Sequence, residues 1–443
     1  MIKKILFYTI YFLSPILLIT AIYFSNPVYA NFVRFIPMFL GATAFSLLNA
    51  QLVLIARPKL MEKTFGLDKF YYFHSIMAPV AIVLAGIHQE VEKTIFPENL
   101  QTNFGEAAFA IFVICSISAV VLMTENMFGK FKFIKKVQAY FKNKEFGKYN
   151  LQLLLHNFNV LAVLLLFIHV MLSSSAQDPL VKTIYILYFS IGMGFYLYHK
   201  LIRPSFFSKR FLVERVIAES PSVSTLELRP ANGKNFAYDP GQFVFIKIAD
   251  PAISKEEHPF SLTSQPANQK TITISIKKLG DWTKKVNEIK IGSTVLIDGP
   301  YGKFSPVNYD CHNGIVLIAG GIGITPMLSI LRHFAQTDRK QKIILFWSVK
   351  TTADLIYDKE FKKLLAEMKN FTFVPVVSQA NFSGENGHIN KEMIEKYIEA
   401  NAYDADKLHY FFCGPESMWT AIEEILLAMK IEKKQMHREN FSL

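Results

Sequence analysis

The sequence of 443 residues predicts a multidomain membrane protein: a six-transmembrane-helix bundle, then an antiparallel β-barrel, then an α/β domain built on a parallel sheet. Three observations predict it. Stretches free of Asp, Glu, Lys and Arg run at 5–24, 35–56, 70–89, 107–124, 149–177 and 183–199, and a helix needs roughly 17–25 such residues to cross a bilayer. After Arg203-Pro204 the hydrophobic period changes from helical to alternating, with Pro, Gly and Asn at the turns. From residue 314 short apolar runs alternate with helical patterns, the mark of parallel strands covered by helices.

Composition narrows the class further. At 51% apolar, 19% charged and mean hydropathy +0.24, the chain is neither disordered nor fibrous. Cys115, Cys311 and Cys413 have no metal-like spacing, which excludes a cysteine-built zinc or iron-sulfur site and a disulfide framework. The net charge of +12 is unevenly placed: residues 1–210 carry 20 basic and 9 acidic residues, or +11, and the remaining 233 carry 28 and 27, or +1. The basicity belongs to the apolar half, and no basic face in the other half points to nucleic acid.

The spans are oriented by their loops. In a model starting inside, segments 1–4, 57–69, 125–148 and 200–210 hold 17 basic residues and the outer segments 25–34, 90–106 and 178–182 hold three. Both termini are therefore expected in the cytoplasm, with the chain in the inner (plasma) membrane. Lys3 and Lys4 before an apolar run, with Val28-Tyr29-Ala30 after it, also fit a signal peptide. That run of twenty exceeds the ~7–15 of a signal core, so the span is read as retained.

Two of the six spans carry paired histidines. His74 and His88 lie in the third, His156 and His169 in the fifth. Ionisable groups in a bilayer are costly, and two helices each carrying a pair at matched depth call for a shared reason. With both helices running outward, His74 and His156 fall toward the inner leaflet and His88 and His169 toward the outer. The partners on each helix lie ~20 Å apart along it. Neutral imidazole is a good axial ligand for haem iron, so one haem at each level follows. A spacing of 14 residues returns to nearly the same helix face, but the 13 from His156 to His169 does not. A local overwinding or bend is therefore expected in the fifth helix. A proton relay or a bound metal are the rival readings.

In the second half, runs at Phe211–Ala218, Val223–Leu228, Gln242–Ile248, Thr271–Ile276 and Thr294–Ile297 read as barrel strands. Strands at Ile315–Ala319, Ile343–Trp347, Phe373–Val377 and Tyr410–Cys413 alternate with helices from Pro326, near 358–369, near 390–401 and from Glu416. Gly320-Gly321-Ile322-Gly323-Ile324-Thr325-Pro326 joins the first of these strands to its helix. Glycines there let a backbone approach a pyrophosphate, whose charge is met by amides at the helix start. The expected domains are 1–205, 206–308 and 309–443.

His258-Pro259-Phe260-Ser261-Leu262-Thr263-Ser264, Lys277-Lys278-Leu279-Gly280-Asp281-Trp282-Thr283, Gly299-Pro300-Tyr301-Gly302, Gly320–Pro326 and Cys413-Gly414-Pro415 form a spaced set. It resembles the ferredoxin-reductase-type flavin and pyridine-nucleotide module. With four histidines ahead of it, nearly the whole chain resembles the NADPH oxidase and ferric reductase transmembrane family in its compact bacterial form. The resemblance implies an FAD-binding barrel and a Rossmann-like NAD(P)H domain. Pro259, Phe260 and Ser261 would line the flavin ring, with His258 and Lys277 toward its phosphates and Thr283 closing the pyrophosphate site. Ser264 and Trp282 belong to the same flavin site. Gly320, Gly321, Gly323, Thr325 and Pro326 would hold the dinucleotide, and Cys413, Gly414 and Pro415 would flank its nicotinamide. Phe441, third from the end, matches the near-terminal aromatic that lies over the isoalloxazine; it and Cys413 are the expected catalytic residues. Ser348 and Lys350 lie where an adenosine 2′-phosphate would, which favours NADPH while leaving NADH possible. Aromatic faces suit a flat flavin and cations suit phosphate; core packing for Phe260 and Phe441 and a solvated Lys277 are the alternatives. His199, Lys200 and Arg203 are read as anchoring the last helix and docking the barrel.

The expected activity is that of a transmembrane NAD(P)H oxidase. Electrons would pass from cytosolic NADPH through FAD to a haem held by His74 and His156, then to one held by His88 and His169, and on to external dioxygen as superoxide. The alternative acceptor is a ferric or cupric chelate, drawn by Glu90, Glu92, Glu98 and Glu106. A third reading is a transport or sensor domain fused to a flavin reductase, with the histidines as proton sites. No calcium-binding loop and no obligatory protein partner are inferred.

Overall fold

The computed structural model describes residues 2–122, 136, 140, 149–206, 208–266, 270–338, 340–379 and 381–439, and the chain divides into two compact units meeting between Ile202 and Arg203. Most of the inner segment 125–148, used above for orientation, lies outside the described residues.

Among the described residues, the first unit contains six helices long and apolar enough to cross a membrane. They are α1 (Ile2–Ser25), α2 (Phe32–Ile55), α3 (Leu67–Ile95), α4 (Leu100–Leu122), α5 in two halves (Tyr149–Asn157 and Asn159–Met171) and α6 (Pro179–Leu197). Their starts are encoded locally. Asn31 accepts from the Val33 amide ahead of α2, and Asp178 accepts from the Leu180 and Val181 amides ahead of α6, where Pro179 takes the first helical position. The span on α2 is 61% buried against 17–22% on the other five, which makes α2 the central helix of the bundle. Its Leu47, Leu48 and Leu52 pack with Ala81, Phe112 and Ala162, and its Phe45 packs with Leu18, Val181 and Tyr185. Outward residues such as Leu13, Leu17, Val83, Ile114 and Ile191 are exposed, so this unit presents apolar side chains on its outside as well as its inside.

The expected irregularity of the fifth helix is found at Phe158. Its amide bonds to the Leu155 carbonyl three residues back (3.1 Å), a tighter turn than α, and the Asn159 side chain donates to the His156 carbonyl (2.8 Å). The tightening falls between the two histidines of α5 and adds rotation in the direction that thirteen α-helical residues lack.

The second unit holds two sheets. The first is antiparallel, in the order β4-β3-β6-β1-β2-β5, from β1 (Lys209–Ser220), β2 (Val223–Pro230), β3 (Phe243–Ala249), β4 (Glu257–Ser261), β5 (Ile272–Lys277) and β6 (Thr294–Tyr301). It is barrel-like, its two edge strands joined by a single bridge between Leu262 and Ile274. Alternating Leu226, Leu228, Val244, Ile246, Ile274, Val295 and Ile297 fill its interior. Arg203, the first residue of the unit, is buried against it, ion-paired with Asp298 (3.1 Å) and bonded to Tyr301.

The second sheet is parallel, in the order β10-β9-β8-β7-β11-β12, from β7 (Ile315–Gly320), β8 (Ile343–Val349), β9 (Phe371–Val377), β10 (Glu385–Asn386), β11 (His409–Cys413) and β12 (Met436–Glu439). The covering helices are α7 (Ile324–Thr337), α8 (Asp358–Glu367), α9 (Lys391–Ala400) and α10 (Glu416–Ala428). From β7 the chain runs outward through β8 to β10 and then returns to β11 on the other side. That reversal opens a crevice at the carboxyl ends of β7 and β11, where open α/β sheets bind ligands.

Candidate functional site

The first unit brings its four histidines together in two pairs. The rings of His74 on α3 and His156 on α5 lie 6.2 Å apart between centroids with planes at 77°. Those of His88 and His169 lie 6.3 Å apart at 78°. Two metal–imidazole bonds of about 2 Å, plus a ring radius of roughly 1 Å on each side, require about 6 Å. Each pair thus has the span of two imidazoles facing one metal from opposite sides. Among the described residues no group of three or more His, Cys, Asp or Glu side chains could hold a bare ion. Two opposed ligands suit a metal that brings its remaining ligands with it.

The tautomers are set by the neighbours. Nδ1 of His88 donates to the Pro37 carbonyl and Nδ1 of His169 to the Gln101 carbonyl, both at 2.8 Å; Nδ1 of His74 donates to Oε1 of Gln51 at 2.9 Å. In each of these three rings the proton on Nδ1 leaves Nε2 with the free lone pair. Nδ1 of His156 is buried with no partner among the described residues. Both outer contacts share a local device: a glycine four residues after the accepting carbonyl. A Cβ on Gly41 would lie 2.8 Å from Cε1 of His88, and one on Gly105 would lie 2.7 Å from Nδ1 of His169. Sequence reasoning missed Gln51, Gly41 and Gly105. The amide of Gln51 inside the charge-free stretch 35–56 is the signal that stood in view.

In the second unit β4 presents His258 to Ser261. Phe260 stacks on Trp282 (5.7 Å, 26°), the ring of His258 lies 4.5 Å from the same indole, and Trp282 is held by its own bond to the Ser254 carbonyl (3.1 Å). The Ser261 hydroxyl is buried and unpartnered, a donor that a bound planar heterocycle would satisfy. His258 lies 3.1 Å from Glu256, and burial lowers its pKa against the pull of that carboxylate. The Ser264 hydroxyl meets Tyr238 (2.7 Å) and accepts from the Thr273 amide (3.0 Å). The Thr283 hydroxyl accepts from the Leu279 and Gly280 amides (2.8 and 2.9 Å), so it shapes the turn after β5. Lys277 ends β5, half-buried, and Pro259 lies within β4 opposite Phe245.

At the crevice, the turns after β7 and β11 are interlocked. A Cβ on Gly323 would lie 2.2 Å from the Cys413 carbonyl oxygen, one on Gly320 would meet Met418 Sδ and Pro415 Cδ, and one on Gly414 would meet the Gly320 backbone. Gly321, with φ +53°, faces open space, leaving its backbone approachable just ahead of α7. Thr325 and Pro326 are buried in the first turn of that helix, and the Thr325 hydroxyl donates to the Ile322 carbonyl (3.0 Å). Ser348 lies opposite Gly320 in the ladder, and exposed Lys350 follows the end of β8. Cys413 is fully buried, and burial raises its thiol well above the ordinary range; its carbonyl is the atom that Gly323 packs against. Phe441 lies outside the described residues.

The loop after β4 is fastened to α7. Arg332 makes a two-bonded pair with Glu360 (2.5 and 2.6 Å) and donates to the Thr263 carbonyl (2.6 Å), and Ser329 donates to the Ser264 carbonyl (2.7 Å). These bonds fix the β4 edge relative to the glycine turn.

Comparison with known proteins agrees with this division. Residues 213–305 match the FAD-binding domain family and residues 317–424 the oxidoreductase NAD-binding domain family. Flavohemoprotein B of Dictyostelium discoideum is 30% identical over 254 residues, covering 53% of this chain and 59% of that protein. The glycine betaine monooxygenase reductase subunit of Chromohalobacter salexigens is 25% identical over 239 residues, covering 51% and 62%. The chain thus spans about three fifths of the length of these curated relatives. Among solved structures, a ferredoxin NADP+ reductase from Neisseria gonorrhoeae with bound FAD and NADP aligns at 22% identity and TM-score 0.46, covering 53% of this chain and 98% of that one. The second unit is a flavin- and NAD(P)H-binding oxidoreductase module.

Proposed function

We propose that the protein is a transmembrane NAD(P)H oxidase, which moves electrons from NADPH on the cytoplasmic side through FAD and two bis-histidine haems to dioxygen outside. The balance is one NADPH and two dioxygen molecules giving NADP+, two superoxide ions and one proton. The observation that carries the reading is the equal geometry of the two histidine pairs, 6.2 and 6.3 Å between centroids, on α3 and the two halves of α5.

When bound, FAD accepts a hydride and releases electrons singly, and each haem takes one at a time. The chain's own residues do the rest. His74 and His156 would hold the inner group and His88 and His169 the outer, each through Nε2. Gly321 and the first amides of α7 would receive the pyrophosphate of the nucleotide, with Lys350 toward its 2′-phosphate. Phe260, backed by Trp282, would bear the flavin ring, and the Ser261 hydroxyl would bond to it. Phe441 would cover the ring from the chain's end. Because His88 and His169 would both be engaged in holding the outer group, no open ligand position is expected there, and haem so held supplies electron transfer without binding the acceptor.

Haem counting with reduced-minus-oxidised spectra of the four His→Ala variants tests the electron path. Loss of haem in His74→Ala and His156→Ala alike, with His199→Ala unaffected, is expected; purified protein with no Soret band despite ample haem supply would sink the reading. Superoxide assayed with and without ferric chelate separates the acceptors. A signal abolished by superoxide dismutase supports the oxidase, and chelate reduction without superoxide assigns a ferric reductase. For that second reading the outer carboxylates offer partial support, Glu106 being already tied to Lys93 (2.9 Å).

A further inference from the structure

The two histidine levels differ in what stands behind the imidazoles. At the outer level both Nδ1–H groups donate to backbone carbonyls, of Pro37 and Gln101 (2.8 Å each). At the inner level, among the described residues, only His74 has an acceptor, and it is a side chain, Gln51, at 2.9 Å; His156 has none. A hydrogen bond donated from Nδ1 shifts electron density toward Nε2 and makes the imidazole a stronger donor, which stabilises the more highly charged, oxidised metal.

Gln51 is held in that role by its own surroundings. It is 7% exposed on the central helix α2, and its amide nitrogen bonds to the Leu47 carbonyl (3.2 Å) and to the Tyr11 hydroxyl (2.7 Å). A carbonyl can only accept, so the nitrogen must face Leu47 and the oxygen must face His74. That fixes the proton on Nδ1 of His74 and leaves Nε2 unprotonated. Tyr11, on α1 and 5% exposed, closes the network from a third helix.

On the reading that these pairs hold haem, we propose that Gln51 is the positioning residue that tunes the inner haem, and that the doubly backed outer haem is the stronger reductant. A one-electron acceptor of low potential at the outer face would be served by that order.

The test is a potentiometric titration of the full-length protein, followed by haem absorbance and by the low-spin signals of the oxidised state. The component missing from His88→Ala identifies the outer haem. It should be the lower-potential one in the unaltered protein; finding it higher overturns the order. Gln51→Leu removes the acceptor and should raise the inner midpoint by about tenfold in the oxidised-to-reduced ratio, or about 59 mV for one electron, leaving the outer midpoint in place. Gln51→Glu keeps an acceptor oxygen at the same reach and should return the inner midpoint to the original value or below it. Equal shifts of the same sign in both variants, or none while both haems are retained, would overturn the role of Gln51 and leave the electron path standing. Absence of haem from the unaltered protein would instead remove the path itself.

Discussion

The two units solve the problem of holding a cofactor in opposite ways. In the helical unit the candidate ligands are side chains, four imidazoles brought to two levels by α3 and α5, and the backbone serves mainly to orient them through the carbonyls of Pro37 and Gln101. In the reductase module the site is largely backbone: glycine turns interlocked at the ends of β7 and β11, with the side chains of Thr283 and Ser264 turned inward to shape loops. The difference teaches where each unit is vulnerable. Adding a methyl group should damage the second unit most where main chain meets main chain, and the first only where a glycine makes room for a histidine.

The largest effect is expected at Gly323. Its Cβ would lie 2.2 Å from the Cys413 carbonyl oxygen and 3.1 Å from the Gly414 amide, both main-chain atoms without a rotamer to escape into. Gly323→Ala should cost about 3 kcal/mol in the stability of the second unit, at the upper end of overpacking penalties. It should also abolish flavin reduction by NADPH while leaving the haem spectrum intact. Unchanged flavin reduction would show that the interlock yields.

Next in size are Gly41→Ala and Gly105→Ala, where the new methyl meets an imidazole rather than a main chain. The His88 and His169 rings, which the new Cβ would meet at 2.8 and 2.7 Å, would have to shift away and lengthen their carbonyl contacts. If the histidine pairs hold haem as proposed, each should loosen the outer one alone, seen as a second, weaker step in haem titration. A loss of tenfold in affinity, about 1.4 kcal/mol, is the expected scale. Equal loosening of both haems would mean that the glycines act on helix packing instead.

What could be read in advance follows the same division. Charge-free stretches announce helices on their own, and depth along two of them already pairs His74 with His156 and His88 with His169. The acceptors behind those rings were hidden, because Gln51, Gly41 and Gly105 matter only once α2 and α4 are placed against α3 and α5. Strand β4 escaped notice because Pro259 interrupts its pattern, which an edge strand tolerates. Strand β12 escaped because Met-His-Arg-Glu carries no β signature, being ordered by its ladder with β11. For Cys413 and Ser264 the motif named the residue but not how its side chain is placed: the thiol is fully buried and the hydroxyl bonds within the fold to Tyr238 and the Thr273 amide.

A smaller effect, confined to the second unit, is acid sensitivity at the β11–β12 edge. His437 is buried between Tyr309 (3.8 Å between rings) and His409, whose Nδ1 lies 2.9 Å from its Nε2. Burial first, and the neighbouring His409 second, lower it from 6.5 to about 3. A histidine kept neutral in the fold takes up its proton more readily when unfolded, so stability should be full above pH 6.5 and decline as pH falls toward 3. His437→Gln should flatten that decline in thermal melts of the second unit. An identical acid limb in the variant would assign the sensitivity to carboxylates.

The smallest expected change is at Ser261, and its sign separates fold from function. The hydroxyl is buried at the end of β4 with no partner of its own, so the folded chain bears the cost of desolvating it. Removing an unsatisfied polar group from such a place is neutral or stabilising, whereas removing one that bonds a ligand weakens the ligand by roughly 1 kcal/mol. Ser261→Ala should therefore melt at the same temperature as the unaltered protein, or slightly higher, when flavin is absent. With FAD added it should bind about fivefold more weakly. Phe260 and Trp282, a few ångströms away, would be untouched, so Phe260→Ala serves as the contrast: a loss of stacking area that weakens flavin and fold together. If Ser261→Ala lowers stability without flavin and leaves its affinity unchanged, the hydroxyl belongs to the barrel, and the flavin contacts along β4 must be sought on its other side chains.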